Sequence, residues 1–412
     1  MAEAAHLTGK VPSRARDPRL DFFRGLALMM IFIDHVPGQF YENLTTRNFG
    51  FSDAAEGFVF MSGTATAIAY GPRLKDGLNF QALRKIWGRA WQLYIVHLFI
   101  TACALAIFAA GILYFGGNQL LLKNGMGTLL KTPLEFLIGT VTLTNQLSYV
   151  NILPLYSVLL LTAPFTIILA LRKPKLAIAI SAVIWMLAGY FQINFPTYPS
   201  KAGWFLNPFS WQLIFVLGIF TGLNMRAGER FVPVKRSLII ISGLYLAFAA
   251  FDLQSQTSME ILGSTIVKLK EAGIPAFAID FMKPYATGPR LLHIMALVYI
   301  LSLPWIVPKV AASRYADPIR IAGKHSLPIF ALGTILAFVG QAIKTAHETN
   351  FFEDTLIIFG GIAIMIGFAY SREWLAQNEK ASTGPAGGGK AQEVAEPPVA
   401  ANLIPFKQKL AS

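Results

Sequence analysis

Cysteine is almost absent from this sequence. Cys103 is the single cysteine among 412 residues, so neither a disulfide nor a cysteine-based metal site can form within one chain. Charged residues are also scarce at 14%, whereas a soluble globular domain carries about 25%. Hydrophobic residues make up 54% of the chain. This composition excludes an ordinary soluble protein and predicts an integral membrane protein.

Apolar runs that are candidates for crossing a membrane recur along the chain. A helix needs about 20 residues to cross ~30 Å of hydrocarbon. The second run contains SGTATA, whose small side chains predict the close approach of another helix. We therefore predict an all-α bundle of about ten transmembrane helices within residues 20–371. The ten runs cover residues 20–39, 54–71, 90–115, 153–171, 176–193, 208–223, 238–251, 289–307, 326–343 and 356–370.

Acidic residues are few relative to basic ones. Lysine and arginine total 35 against 22 acidic residues, which gives a net charge of +13. The basic residues concentrate in alternate loops, such as GPRLKDGLNFQALRKIWGR, RKPK and RAGERFVPVKR. Cytoplasmic loops of membrane proteins carry this excess. Both termini are therefore predicted to be cytoplasmic, and the basic surface is expected to face lipid headgroups rather than nucleic acid.

Two terminal segments lack the apolar character of the body. Residues 1–19 are polar and basic, with no cleavable signal peptide, and form a predicted cytoplasmic tail. Residues 372–412 are rich in Gly, Ala and Pro and poor in large apolar side chains. We predict that this second segment is a disordered cytoplasmic tail.

Ionisable residues bracket the first apolar run, RGLALMMIFIDH. Arg24 and His35 are eleven residues apart, so on a helix they share one face and lie about 16 Å apart along the axis. Ionisable groups inside membrane spans are functional candidates by default. The simpler alternative is that Arg24 reaches the lipid headgroups and that His35 is wetted at the outer end of the helix.

Two carboxylates, Asp53 and Glu56, begin the second apolar run. The simpler interpretation is a capping box, in which each carboxylate accepts hydrogen bonds from the first backbone amides of the helix. A short link joins the first two runs, so His35 and at least one carboxylate should lie at the same end of neighbouring helices. A histidine oriented by a carboxylate can act as a general base. We predict His35 as the catalytic base, oriented by Asp53 or Glu56.

Several sequence blocks resemble a known family. The spacing of Arg24 and His35, with ten residues between them, and the block GFVFMSGTATA are similar to motifs of the acyltransferase-3 superfamily of membrane O-acyltransferases. The blocks LDFFRGLALMMIFIDHVPG, NILPLYSVLLLTAP and GPRLLHIMALVY resemble the OpgC family, the succinyltransferases of osmoregulated periplasmic glucans. Blocks of this kind run from about residue 18 to residue 333.

The resemblance implies a multi-pass enzyme of the bacterial inner membrane. Such an enzyme moves an acyl group, here succinyl, from cytoplasmic acyl-CoA to a hydroxyl of a periplasmic glucan. Acyl-CoA would be a co-substrate, and neither a resident cofactor nor a metal is expected. Cations at the cytoplasmic side would hold the donor, and the candidates are Arg24, Arg84 and Arg89. The segment LRKIWGRAWQLY lacks the doubled arginines of the fullest family motif, which leaves the donor contacts open.

Further candidates for contact with the acceptor or the channel lie on the outer side. His293 follows Arg290 by three residues, which places both on one helical face. Trp204 offers a flat ring for a sugar, although a membrane-interface belt also predicts tryptophans there, and we assign Trp211 to that belt. The acceptor or channel candidates are Asp34, Arg47, Trp204, Arg290 and His293.

A transporter or flippase for a glycan or lipid-linked sugar is the alternative from another functional class. In that case His35 and the carboxylates would form a proton relay. Many transporters have broken helices at corresponding positions in two repeated halves. Proline and glycine are scattered in this chain rather than paired between halves, which favours the enzyme.

Overall fold

The computed structural model describes residues 17–123 and 125–382. This part of the chain is helical, and its β-structure is limited to one isolated bridge between Pro196 and Gly203. The all-α prediction is confirmed. The α-helices are α1 (Pro18–Asp34), α2 (Ala54–Tyr70), α3 (Phe80–Phe115), α4 (Met126–Lys131), α5 (Pro133–Val141), α6 (Ile152–Arg172), α7 (Pro174–Tyr190), α8 (Pro208–Ala227), α9 (Arg236–Gln254), α10 (Gln256–Glu271), α11 (Ala276–Ile279), α12 (Gly288–Leu301), α13 (Val307–Ala312), α14 (Asp317–Lys324), α15 (Ser326–Ala346) and α16 (Phe351–Ser382).

Six of the described helices are long and apolar enough to cross a membrane, namely α3, α6, α8, α9, α15 and α16. They support the prediction of a membrane protein. The other four predicted spans correspond to α1, α2, α7 and α12, which have only 14 to 17 residues. These helices are shorter than the roughly 20 residues that a perpendicular span requires. A bundle of ten transmembrane helices therefore stays a prediction.

The helix α3 starts ten residues earlier than the apolar run that predicted it. The Asn79 side chain accepts a hydrogen bond from the backbone amide of Ala82 at 2.8 Å and caps the helix start. Gly116, in the left-handed region at φ 69°, ends the helix. The basic segment LRKIWGR consequently lies on the first turns of α3 rather than in a loop.

The last helix extends further than its apolar run. The structure places α16 through Ser382, so residues 372–382 of the predicted disordered tail are helical. The rest of that tail, residues 383–412, and residues 1–16 of the N-terminal tail lie outside the described residues. The chain up to Glu373 forms one compact unit, and a second unit starts at Trp374, of which the structure describes only the end of α16.

Glycines allow α2 and α8 to cross in backbone contact. A Cβ atom on Gly63 would lie 2.1 Å from the carbonyl oxygen of Phe215, and one on Gly218 would lie 2.1 Å from that of Phe60. No side chain fits such spaces, so both positions require glycine. The predicted close approach at SGTATA is therefore confirmed, and α8 is the partner helix.

A second glycine contact fixes α1 against α14. A Cβ atom on Gly25 would lie 1.9 Å from the carbonyl oxygen of Ile319, and one on Gly323 would lie 1.8 Å from that of Asp21. The helix α14 belongs to a segment that the sequence assigned to a connecting loop. Both α1 and α2, which carry the predicted site residues, are thus held by backbone contact with a neighbouring helix.

Candidate functional site

His35 ends the first helix. Its backbone amide donates to the carbonyl oxygen of Ile31 at 3.0 Å, and Pro37, two residues later, cannot continue the helix. The Gln341 side chain donates to the carbonyl oxygen of His35 at 2.6 Å. The imidazole packs on the ring of Tyr149, with ring centroids 4.6 Å apart and planes tilted by 54°. The backbone and the ring of His35 are therefore held by two different elements.

The imidazole of His35 keeps one nitrogen unpaired. Nδ1 is buried and has no hydrogen-bond partner among the described residues. The residue as a whole is only half-buried, so the ring is not sealed inside the protein. Buried polar atoms in folded proteins nearly always have partners, and an exception calls for a functional explanation. His97 and His293 also bury ring nitrogens without a partner among the described residues, but these two residues are 0% and 3% exposed. The unpaired nitrogen together with partial exposure marks His35 as a candidate for proton transfer.

Asp53 and Glu56 form the capping box that was the simpler interpretation of their spacing. Asp53 accepts from the backbone amide of Ala55 at 2.9 Å, and Glu56 accepts from the backbone amide of Asp53 at 3.0 Å. Within the described chain neither carboxylate is hydrogen-bonded to His35. Asp53 acts on the imidazole only through its charge, as Lys283 does. The direct contact expected between His35 and a carboxylate is not formed.

Lys283 and Arg290 occupy the remaining carboxylate oxygens. Lys283 is ion-paired with Asp53, and Arg290 is ion-paired with Glu56 and lies 3.5 Å from Asp53. The Nε atom of Arg290 donates to Glu56 at 2.8 Å, and the Glu56 side chain is fully buried. Burial raises the pKa of Asp53, but the two cations outweigh it and hold that pKa below its usual range. We call these four residues the charge cluster.

Lys283 was missed by the sequence analysis. Its carbonyl oxygen accepts from the indole N–H of Trp211 at 3.0 Å, and the Phe205 ring lies 5.7 Å from its ammonium group. Trp211 is fully buried, so its assignment to a membrane-interface belt was wrong. A usable signal was present, because Lys283 lies in a loop predicted to be outer, where basic residues are scarce.

A cavity of about 210 Å³ lies beside Arg24. Arg89 of α3 and Lys324 of α14 also line it, and Lys324 was not predicted. Lys324 is ion-paired with Glu373 at 2.6 Å, and Arg89 donates to Gln92 at 2.6 Å. The hydroxyl groups in the wall belong to Ser62, Thr66, Tyr70, Tyr156 and Ser326. Three cations and several hydroxyls suit an anionic ligand.

The third donor candidate lies elsewhere. Arg84 is exposed on α3 and does not line the cavity. The structure thus brings Arg24 and Arg89 together and separates Arg84 from them. The part of the chain that the structure describes contains no group of three His, Cys, Asp or Glu side chains that could hold a metal ion.

One protein family matches a stretch of the chain that includes both His35 with the charge cluster and the Arg24 cavity. The model of one protein family, described as "OpgC protein", matches residues 16–377. The chain belongs to the OpgC family. No curated protein and no solved structure matches it. OpgC family membership and the six apolar helices together indicate a membrane transferase. The charge cluster, His35 and the Arg24 cavity all lie within the matched residues.

The remaining candidates of this OpgC family member are Asp34, Arg47 and Trp204, together with His293. Asp34 accepts from the hydroxyl of Thr45 at 2.7 Å, and Arg47, which is exposed, acts on Asp34 through its charge. Trp204 is 4% exposed and packs edge-on against Phe195, with ring centroids 5.2 Å apart. The flat face of Trp204 is therefore not available to a sugar, contrary to the expectation.

His293 supports the start of α2. Its Nδ1 atom is hydrogen-bonded to the hydroxyl of Ser52 at 2.7 Å, and only 3% of the residue is exposed. A Cβ atom on Gly50 would lie 2.0 Å from the imidazole Cε1, so the backbone at Gly50 runs directly over the ring. His293 consequently positions the segment that leads into Asp53 and does not face an open acceptor site.

Proposed function

We propose that this protein is a membrane O-acyltransferase that moves an acyl group, in the simplest case succinyl, from cytoplasmic acyl-CoA to a hydroxyl of a periplasmic glucan. Membership of the OpgC family supports the reaction class. The observation that carries the proposal is the half-buried imidazole of His35, whose Nδ1 is buried without a hydrogen-bond partner among the described residues. Its position at the end of α1 opposite the Arg24 cavity suits a reaction with reactants on two sides of a membrane.

The chemistry follows from this arrangement. His35 takes the proton of the acceptor hydroxyl as the oxygen attacks the thioester carbonyl. The new ester C–O bond forms, the C–S bond breaks, and the departing CoA sulfur takes up the proton from the imidazolium. The positive charge of Lys283 disfavours that imidazolium, and the negative charge of Asp53 favours it. General base catalysis of this kind contributes about 10²- to 10⁴-fold in rate.

The cavity beside Arg24 is the proposed donor site. Arg24, Arg89 and Lys324 supply positive charge for the anionic acyl-CoA. In the proposed orientation the N-terminus is cytoplasmic, so this end of α1 faces the compartment that contains acyl-CoA. Arg84 lies outside the cavity, and the proposal gives it no role in holding the acyl end of the donor.

Reconstituted protein tests the proposal. The purified protein in liposomes is supplied with radiolabelled succinyl-CoA on the cytoplasmic face and with glucan on the other. Label attached to the glucan, and lost with His35→Gln, is the expected result. Passage of unmodified glucan across the bilayer without any labelled product would overturn the enzyme assignment in favour of a transporter.

A further inference from the structure

Tyr149 has an unusual backbone conformation for its size. It lies in the loop between α5 and α6 at φ 73°, in the left-handed region. Bulky residues rarely adopt this conformation, and residues held in it cluster at functional sites. The loop is anchored on both sides of Tyr149, because Leu147, two residues earlier, is 2% exposed and Val150, the next residue, is fully buried.

The strained backbone directs the Tyr149 ring onto His35. The ring centroids are 4.6 Å apart, within the range of aromatic contacts, and the planes are tilted by 54°. From the outer loop, Arg47 and Glu42 act on Tyr149 through their charges. A tyrosine phenol is uncharged at neutral pH, and burial raises the pKa of Tyr149 further above neutrality.

The described structure supplies no other side chain that fixes the imidazole plane through Nδ1. The expected carboxylate does not reach His35, because the capping box and the ion pairs occupy the oxygens of Asp53 and Glu56. Gln341 holds the backbone carbonyl of His35, which leaves rotation of the ring unconstrained. A general base must keep its accepting nitrogen directed at the proton it removes.

We propose that Tyr149 is a positioning residue that sets the orientation of the His35 imidazole by ring contact, the role that the sequence assigned to a carboxylate. This inference rests on the proposed acyltransferase function. The ring carries the effect, and the phenolic hydroxyl does not. The left-handed backbone at Tyr149 is the means by which the loop presents that ring to His35.

Substitutions in the loop between α5 and α6 distinguish the effect of the Tyr149 ring contact from the effect of its left-handed backbone. Tyr149→Gly removes the ring and relaxes the backbone, since glycine adopts positive φ freely. Tyr149→Leu keeps a large apolar side chain, and Leu143 at φ 63° shows that this loop accommodates leucine in the same conformation. Tyr149→Phe keeps the ring without its hydroxyl. Leu143→Gly is the matched control, because it relaxes a left-handed residue of the same loop.

The measurement is kcat and KM for acyl transfer, with thermal melting as the test of folding. Tyr149→Gly and Tyr149→Leu should lower kcat about 10- to 100-fold, as misplacement of a catalytic group does. KM for acyl-CoA should not change, since the donor cavity lies at the other end of α1. Tyr149→Phe and Leu143→Gly should keep kcat within about threefold of that of the original protein. This change is far smaller than the loss expected from misplacement.

Each contrary result has a distinct meaning. Equal kcat for Tyr149→Gly, Tyr149→Leu and the original protein would overturn the positioning role and leave the acyltransferase function standing. A loss with Tyr149→Phe as large as with Tyr149→Gly would overturn the ring contact in favour of the hydroxyl. Absence of any acyl transfer by the original protein would overturn the proposed function, and the inference with it.

Discussion

Glu56, a member of the charge cluster, and His35 are both polar residues at helix ends, yet their side-chain atoms differ in hydrogen bonding. Glu56 is fully buried, and its two oxygens accept from Asp53 and Arg290. His35 keeps Nδ1 without a partner in the described chain. A purely structural polar residue gains from complete pairing, because each unpaired buried atom costs about 1–3 kcal/mol. His35 is therefore the residue on which a catalytic experiment should be done.

His35→Gln should abolish acylation without preventing insertion. Glutamine is similar in size and still forms hydrogen bonds, but it has no titrating nitrogen, so the rate should fall about 10²- to 10⁴-fold. The measurement is the acyl content of extracted glucan at matched protein level in the membrane. His347→Gln is the control, because His347 is exposed and pairs with Glu353 of the next helix. Near-normal acylation by His35→Gln would end its catalytic assignment.

Glu56→Gln should destabilise the protein strongly. The substitution removes the charge of the fully buried partner of Arg290 and leaves this arginine only Asp53, at 3.5 Å, and breaking a buried pair costs about 3–5 kcal/mol. Thermal melting in detergent measures the effect. The matched control is Asp280→Asn, which breaks the more exposed pair with Lys270 and should cost about 1 kcal/mol or less. Equal shifts in melting temperature would show that the Glu56 pair contributes no more than a surface contact.

Arg24→Ala should weaken acyl-CoA binding about 10- to 100-fold, the effect of losing one charge-assisted hydrogen bond. Arg84→Ala is the matched control, because Arg84 is also a basic residue of this region but lies outside the cavity lining. The acyl-CoA affinity of Arg84→Ala should stay within about twofold of that of the original protein, a change well below the effect of losing one charge-assisted hydrogen bond. Titration of the purified protein with acyl-CoA measures both. Equal losses in the two variants would assign the effect to general surface charge.

At the scale of helices, the crossing of α2 and α8 places the start of α2 in the bundle. The contact at Gly63 and Gly218 leaves no room for a side chain between the two backbones. The charge cluster lies at one end of α2, and the Arg24 cavity is lined by Ser62 and Thr66 of the same helix. A displacement of α2 would therefore disturb both regions together.

Gly63→Ala should lower stability by about 1–3 kcal/mol, because its Cβ would overlap a backbone carbonyl that cannot move independently. Gly243→Ala is the control. Gly243 lies within α9 with open space around it, and alanine there should be neutral or stabilise the helix by up to about 1 kcal/mol. The melting temperatures of the two variants measure these effects. A Gly63→Ala protein as stable as the original would contradict the backbone contact between α2 and α8.

At the scale of the whole molecule, orientation in the membrane is open to a direct test. In a protein without Cys103, a cysteine at Lys201 should react with an impermeant reagent added outside the cell, whereas one at Lys173 should react only after the membrane is permeabilised. Both positions are exposed, so labelling depends on the compartment alone. The opposite labelling pattern would place the Arg24 cavity outside the cytoplasm and reject the proposed donor site.

Contacts between residues that are close in the sequence were predictable, and contacts between residues far apart in the chain were not. The capping box was predicted because Asp53 and Glu56 are three residues apart. Lys283 meets Asp53 across 230 residues of chain, a pairing that no single-sequence pattern reports. The Tyr149 contact with His35 depends on a left-handed backbone residue that composition and periodicity do not reveal. The number of spans stays a prediction, since α1 and α2 have only 17 residues each between their caps.

Backbone contact at Gly25 and Gly323 has a mechanical consequence. A helix seated this closely on its neighbour cannot slide or turn without separating from it, so α1, which carries Arg24 and ends at His35, is held in place against α14. In the proposed reaction the acyl group would cover the distance between Arg24 and His35, carried by the flexible part of acyl-CoA, while the helices remain still. Alternating-access devices work by rocking one half of a protein against the other. A rigid α1 instead suits a channel that does not move. In such a channel the rate of transfer depends on how far the bound molecule can extend along it.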